Sequence, residues 1–210
     1  MQRQSGFTLA EVLITLAIIG TVAAMTIPTL MTNTNKIEFK TGFKKILATT
    51  NQAITMSVAL NYVDFSDTTT TNTNPTTSIM GIFLNKMHIT KYYTGTSNDD
   101  VFRMFHASAS NNYTVFFADG MALSFPSNST NCRAAGRNIC RAIVDVNGTR
   151  APNVLSNCLA AGTQGKTATT DNTGTCSGGQ ASIFDQFSIL FADQQVQPNG
   201  QAAKYVLFEN

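Results

Sequence analysis

At 210 residues the chain is long enough for one modest domain plus a membrane element. Charged residues make up only 12%, about half the share usual in a soluble protein, and the net charge is +2. A field that weak gives no reason to expect nucleic acid or an acidic partner. The polar surface comes instead from 30 Thr and 19 Asn residues, a composition that suits secreted or surface-exposed proteins.

The first element in chain order is apolar. Residues 7–35 hold no Lys or Arg and one acid, Glu11. The apolar core of the run, residues 7–31, would span roughly 37 Å as a helix, more than the ~30 Å hydrocarbon layer of a bilayer. Val22-Ala23-Ala24 offers a small-residue cleavage site after Ala24 for an ordinary secretory signal peptide. On that alternative the rest of the chain is a secreted binding module. Two features speak against it: Arg3 is the only basic residue ahead of the run, and an acid lies inside the run. A simple signal anchor leaves the acid unexplained. A carboxylate in hydrocarbon costs ~2.5 kcal/mol or more, so Glu11 calls for a partner.

The string Gly6-Phe7-Thr8-Leu9-Ala10-Glu11-Val12 resembles the prepilin cleavage and methylation motif of type IV pilins and type II secretion pseudopilins. The likeness extends over residues 5–60. It implies a cleaved leader at residues 1–6, cut by a membrane peptidase after Gly6, and methylation of the new amine at Phe7. Glu11 becomes the fifth mature residue. Gly20 and Pro28 fall where that family often has a glycine and a helix-disturbing proline, and the Thr- and Ala-rich stretch between them is expected to open in a filament. The Phe7 amine of a neighbouring subunit, at nearly the same membrane depth, is the expected partner of Glu11. The competing role for Glu11 is to stabilise its own helix dipole at the headgroup level. The implied function is a structural subunit of a type IV pilus or a type II secretion pseudopilus. The implied partners are other pilins or pseudopilins in a homo- or hetero-oligomeric filament, the prepilin peptidase, a membrane assembly platform and the lipid bilayer. The implied location is the cytoplasmic membrane, single-pass with the head outside the cytoplasm, and then the filament. Lys36, Lys40, Lys44 and Lys45, opposed only by Glu38, follow the apolar run. The positive-inside rule would put that side in the cytoplasm, against the resemblance and the cysteines.

Beyond the membrane segment, residues 32–65 are expected to continue the helix in amphipathic form. Phe39, Phe43, Ile46, Leu47, Thr50, Ala53, Ile54, Ser57 and Leu60 recur at helical spacing, with Lys40, Lys44, Asn51 and Asn61 on the other face. A helix over residues 7–62 would be about 84 Å long. Residues 66–210 form the head. It starts with a low-complexity loop, residues 66–78, followed by a short helix over 79–91. Residues 113–125 read as a hairpin about Asp119-Gly120, and residues 139–146 as a strand ending at Asn147-Gly148. Residues 182–192 give a strand or short helix, and residues 203–208 a closing strand. The fold class expected is α+β, a long N-terminal helix packed on a small antiparallel sheet, as the resemblance also implies.

The four cysteines, Cys132, Cys140, Cys158 and Cys176, read as two disulfides in an oxidising compartment. Their spacings lack the close pairs of a zinc site. Pairing Cys132 with Cys140 and Cys158 with Cys176 closes two local loops, although three connectivities are open to four cysteines. Residues 160–167 (AAGTQGKT) satisfy a loose nucleotide-loop pattern, but no helix follows them, so a flexible loop is expected. Asp145 and Asn147 open like a calcium loop; Arg150 and Ser156 stand where that loop needs glycine and an acid. A tight turn with Gly148 at positive φ is the favoured reading, and calcium at Asp145 and Asn147 stays open as the weaker one. No cofactor is expected otherwise. His88 and His106 lie in no catalytic or metal-binding pattern, and no constellation for nucleophilic or acid–base catalysis occurs. The chain therefore does not read as an enzyme.

Overall fold

The computed structural model describes residues 6–68, 77–93, 112–126, 132–133, 140–158 and 183–208. The chain divides into two compact units, Met1–Glu38 and Phe39–Asn210. One helix, α1 (Leu9–Asn61), has residues in both.

In the first unit α1 carries the apolar run, and the run is bare. An 18-residue window of it has a mean hydropathy of 2.1 and is 0% buried, long and apolar enough to cross a membrane. Its threonines do not compromise that. Thr15 and Thr21 donate their hydroxyls to the carbonyls of Val12 and Ile18 at 2.9 Å, Thr26 donates to Val22 O at 3.0 Å, and Thr29 to Thr26 O at 2.9 Å. Each hydroxyl is satisfied by its own helix, which makes it tolerable in lipid.

In the second unit the same helix is amphipathic. Phe39, Phe43, Ile46, Leu47, Thr50, Ala53, Ile54 and Ser57 are buried in one stripe, as their spacing predicts. They pack on a six-stranded antiparallel sheet in simple sequence order: β1 (Ile89–Tyr93), β2 (Asn112–Phe117), β3 (Ala122–Pro126), β4 (Cys140–Asp145), β5 (Gln186–Ala192) and β6 (Gln195–Pro198). Phe43 stacks on Phe187 of β5 with ring centroids 4.3 Å apart. Phe65, Phe83 and Phe191 close the other end of the core, 5.0 to 6.4 Å apart. Two short helices complete the unit: α2 (Ile79–Lys86), capped by the Ser78 hydroxyl, and α3 (Gln201–Phe208). The α+β arrangement of a long apolar helix and an antiparallel sheet is that of the pilin-like expectation.

Several expectations need correction. The helix stops at Asn61, where Tyr62 takes a left-handed φ of 57°, and residues 65–67 form a separate 3-10 turn. Leu60 is exposed, not buried. Asn51 does not face solvent: its amide donates to Val196 O and its oxygen accepts from Val196 N, both at 2.9 Å, so α1 clamps the backbone of β6. The helix expected over 79–91 ends at Lys86, because β-branched Ile89 and Thr90 with Tyr92 and Tyr93 favour β1. Of the stretch 182–192, expected as a strand or short helix, residues 186–192 form strand β5. The closing strand expected at 203–208 is α3 instead. Ala202, Ala203 and Val206 are buried at helical spacing, and the Pro198-Asn199-Gly200 stretch ends β6 before them. The β6 sequence, Gln-Val-Gln-Pro, is too polar to have announced itself.

Candidate processing and assembly site

Gly6, Phe7 and Thr8 precede the helix in irregular backbone, and α1 starts at Leu9. The Gly6–Phe7 bond is therefore outside the helical hydrogen-bond ladder, where a peptidase could reach it. Phe7 is 90% exposed, and nothing lies within 4 Å of where a Gly6 side chain would begin. Thr8 occupies the N-cap position and Glu11 the third helical position, the spacing of a capping box. The pair is reciprocal. Thr8 N and Thr8 Oγ1 each donate to Glu11 Oε2 at 2.8 Å, and Glu11 N donates to Thr8 Oγ1 at 3.3 Å. The run's acid is thus held at the helix entrance, four residues from the amine that cleavage after Gly6 would free. Thr8 was not among the residues singled out above, although its Thr-x-x-Glu spacing was visible.

Against known families, residues 1–27 match the model of the prokaryotic N-terminal methylation motif. The chain carries a prepilin-type signal. That is the motif of type IV pilin-like and pseudopilin subunits, and with the bare apolar helix it fits a membrane-anchored, filament-forming protein. No curated protein matches the chain, and no solved structure does.

Gly20 and Pro28 both lie inside α1, which is helical throughout the stretch between them. Gly20 has open space around it. In the head, Cys132 is bonded to Cys140, at the start of β4, with Cα atoms 5.2 Å apart. Cys158 is also disulfide-bonded; Cys176, the AAGTQGKT segment and His106 lie outside the described residues.

Asp145 ends β4 with its side chain fully buried, and so is that of Asp185 ahead of β5. Each of their four oxygens accepts an N–H. Asn147 N donates to Asp145 Oδ1 at 3.1 Å and Gln186 Nε2 to Asp145 Oδ2 at 3.0 Å. Val154 N and Asn153 N donate to the two Asp185 oxygens at 2.9 and 2.7 Å. With its amide nitrogen turned inward, Asn153 also reaches Asp145 Oδ2 at 3.2 Å. Asp185, 40 residues away in sequence, is the group that sequence reading missed. Gly148 adopts the positive φ expected of it, 75°. The carboxylates fasten the 146–157 loop to β5, where Leu155 bridges Gln186. N–H groups aimed at every carboxylate oxygen would repel a cation, so the arrangement argues for the turn over calcium. Burial pushes the Asp145 carboxyl up to about 7; the Gln186 amide works against that rise and the Asp185 charge works with it.

Proposed function

We propose that the chain is a structural subunit of a type IV pilus or a type II secretion pseudopilus. It is held in the cytoplasmic membrane by residues 7–31 with its head outside the cytoplasm. It is cut after Gly6, methylated at Phe7 and polymerised through α1. The observation that carries this reading is the coincidence of a methylation motif over residues 1–27 with an apolar helix whose most hydrophobic window is 0% buried among the described residues. Burying that helix against sister helices gives the filament its packing. Ala17, Gly20, Ala23 and Ala24 let backbones come close. Glu11 exchanges its Thr8 contact for the Phe7 amine of a neighbour, so that neither charge is left alone in an apolar bundle. Gly20 and Pro28 bracket a stretch of helix that opens on assembly.

Mass spectrometry of the mature N-terminus tests the reading. The expected first residue is N-methylated Phe7. A chain beginning at Met25 would identify an ordinary signal peptide and a secreted binding module. Glu11→Leu is expected to leave that N-terminus unchanged and abolish filaments; normal filaments from this variant would remove Glu11 from the assembly step.

A further inference from the structure

Four of the chain's eight lysines lie at 36, 40, 44 and 45. The structure sorts them. Lys45 is committed within the head, its Nζ 2.8 Å from Asp119 Oδ2. Lys40 lies over the Tyr205 ring of α3, 5.6 Å from its centroid, a contact that orients the ammonium without neutralising it. Lys36 and Lys44 are exposed and have no hydrogen bond or ion pair among the described residues. A spacing of four puts Lys36, Lys40 and Lys44 on one stripe of α1. Glu38 is the sole acid between residues 12 and 63. Keeping an exposed helix in solution does not account for this cluster, because the next stretch, Ile46–Val63, carries no charge at all. The positive charge is concentrated in one place, directly beyond the apolar run.

We propose that Lys36 and Lys40, with Lys44 behind them, bind the headgroups of anionic phospholipids on the membrane face from which the head emerges. The inference rests on reading residues 7–31 as membrane-spanning. Measured along a helix, Lys36 lies at most ~8 Å and Lys40 at most ~14 Å beyond Met31, and any bend shortens those distances. The headgroup layer is ~5–8 Å deep, and lysine stems lie back along apolar surface while the ammonium stays in the polar layer. Both ammoniums therefore reach it. Lys44, at ~20 Å, acts through a field that decays over ~8–10 Å. The stripe contains no arginine, and a compact ammonium on a flexible stem suits a fluid layer of single negative charges better than a fixed bidentate site. A second copy of the chain is a poor occupant, because its own stripe would meet this one with like charge.

The chain has no tryptophan, so Met31→Trp, at a position 60% exposed, supplies a single reporter at the end of the apolar run. The full chain is reconstituted into vesicles of phosphatidylcholine and phosphatidylglycerol, with one or the other lipid brominated on its chains. The indole should be quenched in preference by the brominated phosphatidylglycerol. Lys36→Gln and Lys40→Gln should each lower that preference about fivefold. Lys45→Gln, whose lysine is already paired, should leave it unchanged, and high salt should erase it. Equal quenching by the two lipids overturns the proposal, as does a preference that survives in the Lys36→Gln/Lys40→Gln double variant. No quenching by either lipid means that residue 31 is not in a bilayer, and the membrane reading then falls along with the proposal.

Discussion

Thr8 Oγ1 donates to the Glu11 carboxylate and accepts from the Glu11 N–H, so one hydroxyl fixes where the acid of the apolar run points. Losing such a cap costs about 1 kcal/mol of helix stability. Thr8→Val keeps the β-branched shape and removes the hydroxyl. We expect it to leave Phe7 methylation intact and to lower filament yield, with Thr8→Ser restoring it; yield is read from sheared filaments on a gel. Wild-type yield from Thr8→Val would mean the cap has no part in presenting Glu11. A second residue-scale prediction concerns Asp145, whose carboxyl burial pushes up to about 7 from the ordinary 3.8. Between those values the folded chain keeps a proton that the unfolded chain has lost. The contribution of Asp145 to stability is therefore full below about pH 4, is lost as pH rises towards 7 and stays lost above that, a few kcal/mol in total. Asp145→Asn should flatten the profile in urea unfolding of the full chain in detergent. An unchanged slope would place the proton elsewhere. The sequence singles out Asp145 but not its neighbour: Asp145 meets Asp185 only because β4 pairs with β5, whereas the Thr8 cap was passed over although its Thr-x-x-Glu spacing lies in plain sequence.

At the scale of elements, local chemistry decided what could be anticipated. The β2–β3 hairpin was legible because Asp119-Gly120 is a strong turn signal, and Gly120 does take a φ of 87°. The buried stripe of α1 was legible because its period is regular over five turns. Helix α3 was misread because Tyr205, Val206, Leu207 and Phe208 are β-prone one by one, while their burial is helical. Strand β6 was missed because only Val196 of its four residues is buried. What holds that edge is the Asn51 amide of α1, a contact no local pattern encodes. Two glycines set how closely elements approach. A Cβ on Gly42 of α1 would lie 2.9 Å from Val146 Cβ, and one on Gly148 would overlap the Gly120 carbonyl oxygen. Gly148→Ala has both the overlap and a φ of 75° against it, so we expect a loss of roughly 1–3 kcal/mol or more. Thermal unfolding measures it. A shift indistinguishable from that of an exposed Ala substitution such as Thr55→Ala would show that the two turns are free to separate.

For the whole molecule the open conflict is between two signals for orientation. The lysines after the apolar run favour retention of that side in the cytoplasm. The head, however, is built around a bonded Cys132–Cys140 pair. Its first cysteine is tied into the framework by backbone hydrogen bonds: Cys132 N donates to Phe65 O, and Asp193 N to Cys132 O, both at 3.1 Å. Folding in a reducing compartment would leave those thiols free and remove a cross-link whose loop is worth about 2–3 kcal/mol in chain entropy. Export would therefore stabilise the head, and the proposed contact with anionic lipid would give the lysines a reason to lie on that side. We expect protease added to spheroplasts to degrade the head and leave a protected fragment around residues 7–31. We also expect the cysteines of the denatured chain to react with a thiol reagent only after reduction. Labelling without reductant, together with a head shielded from protease, would put the head in the cytoplasm. It could not then be the exported face of a filament, whatever the motif at residues 1–27 implies.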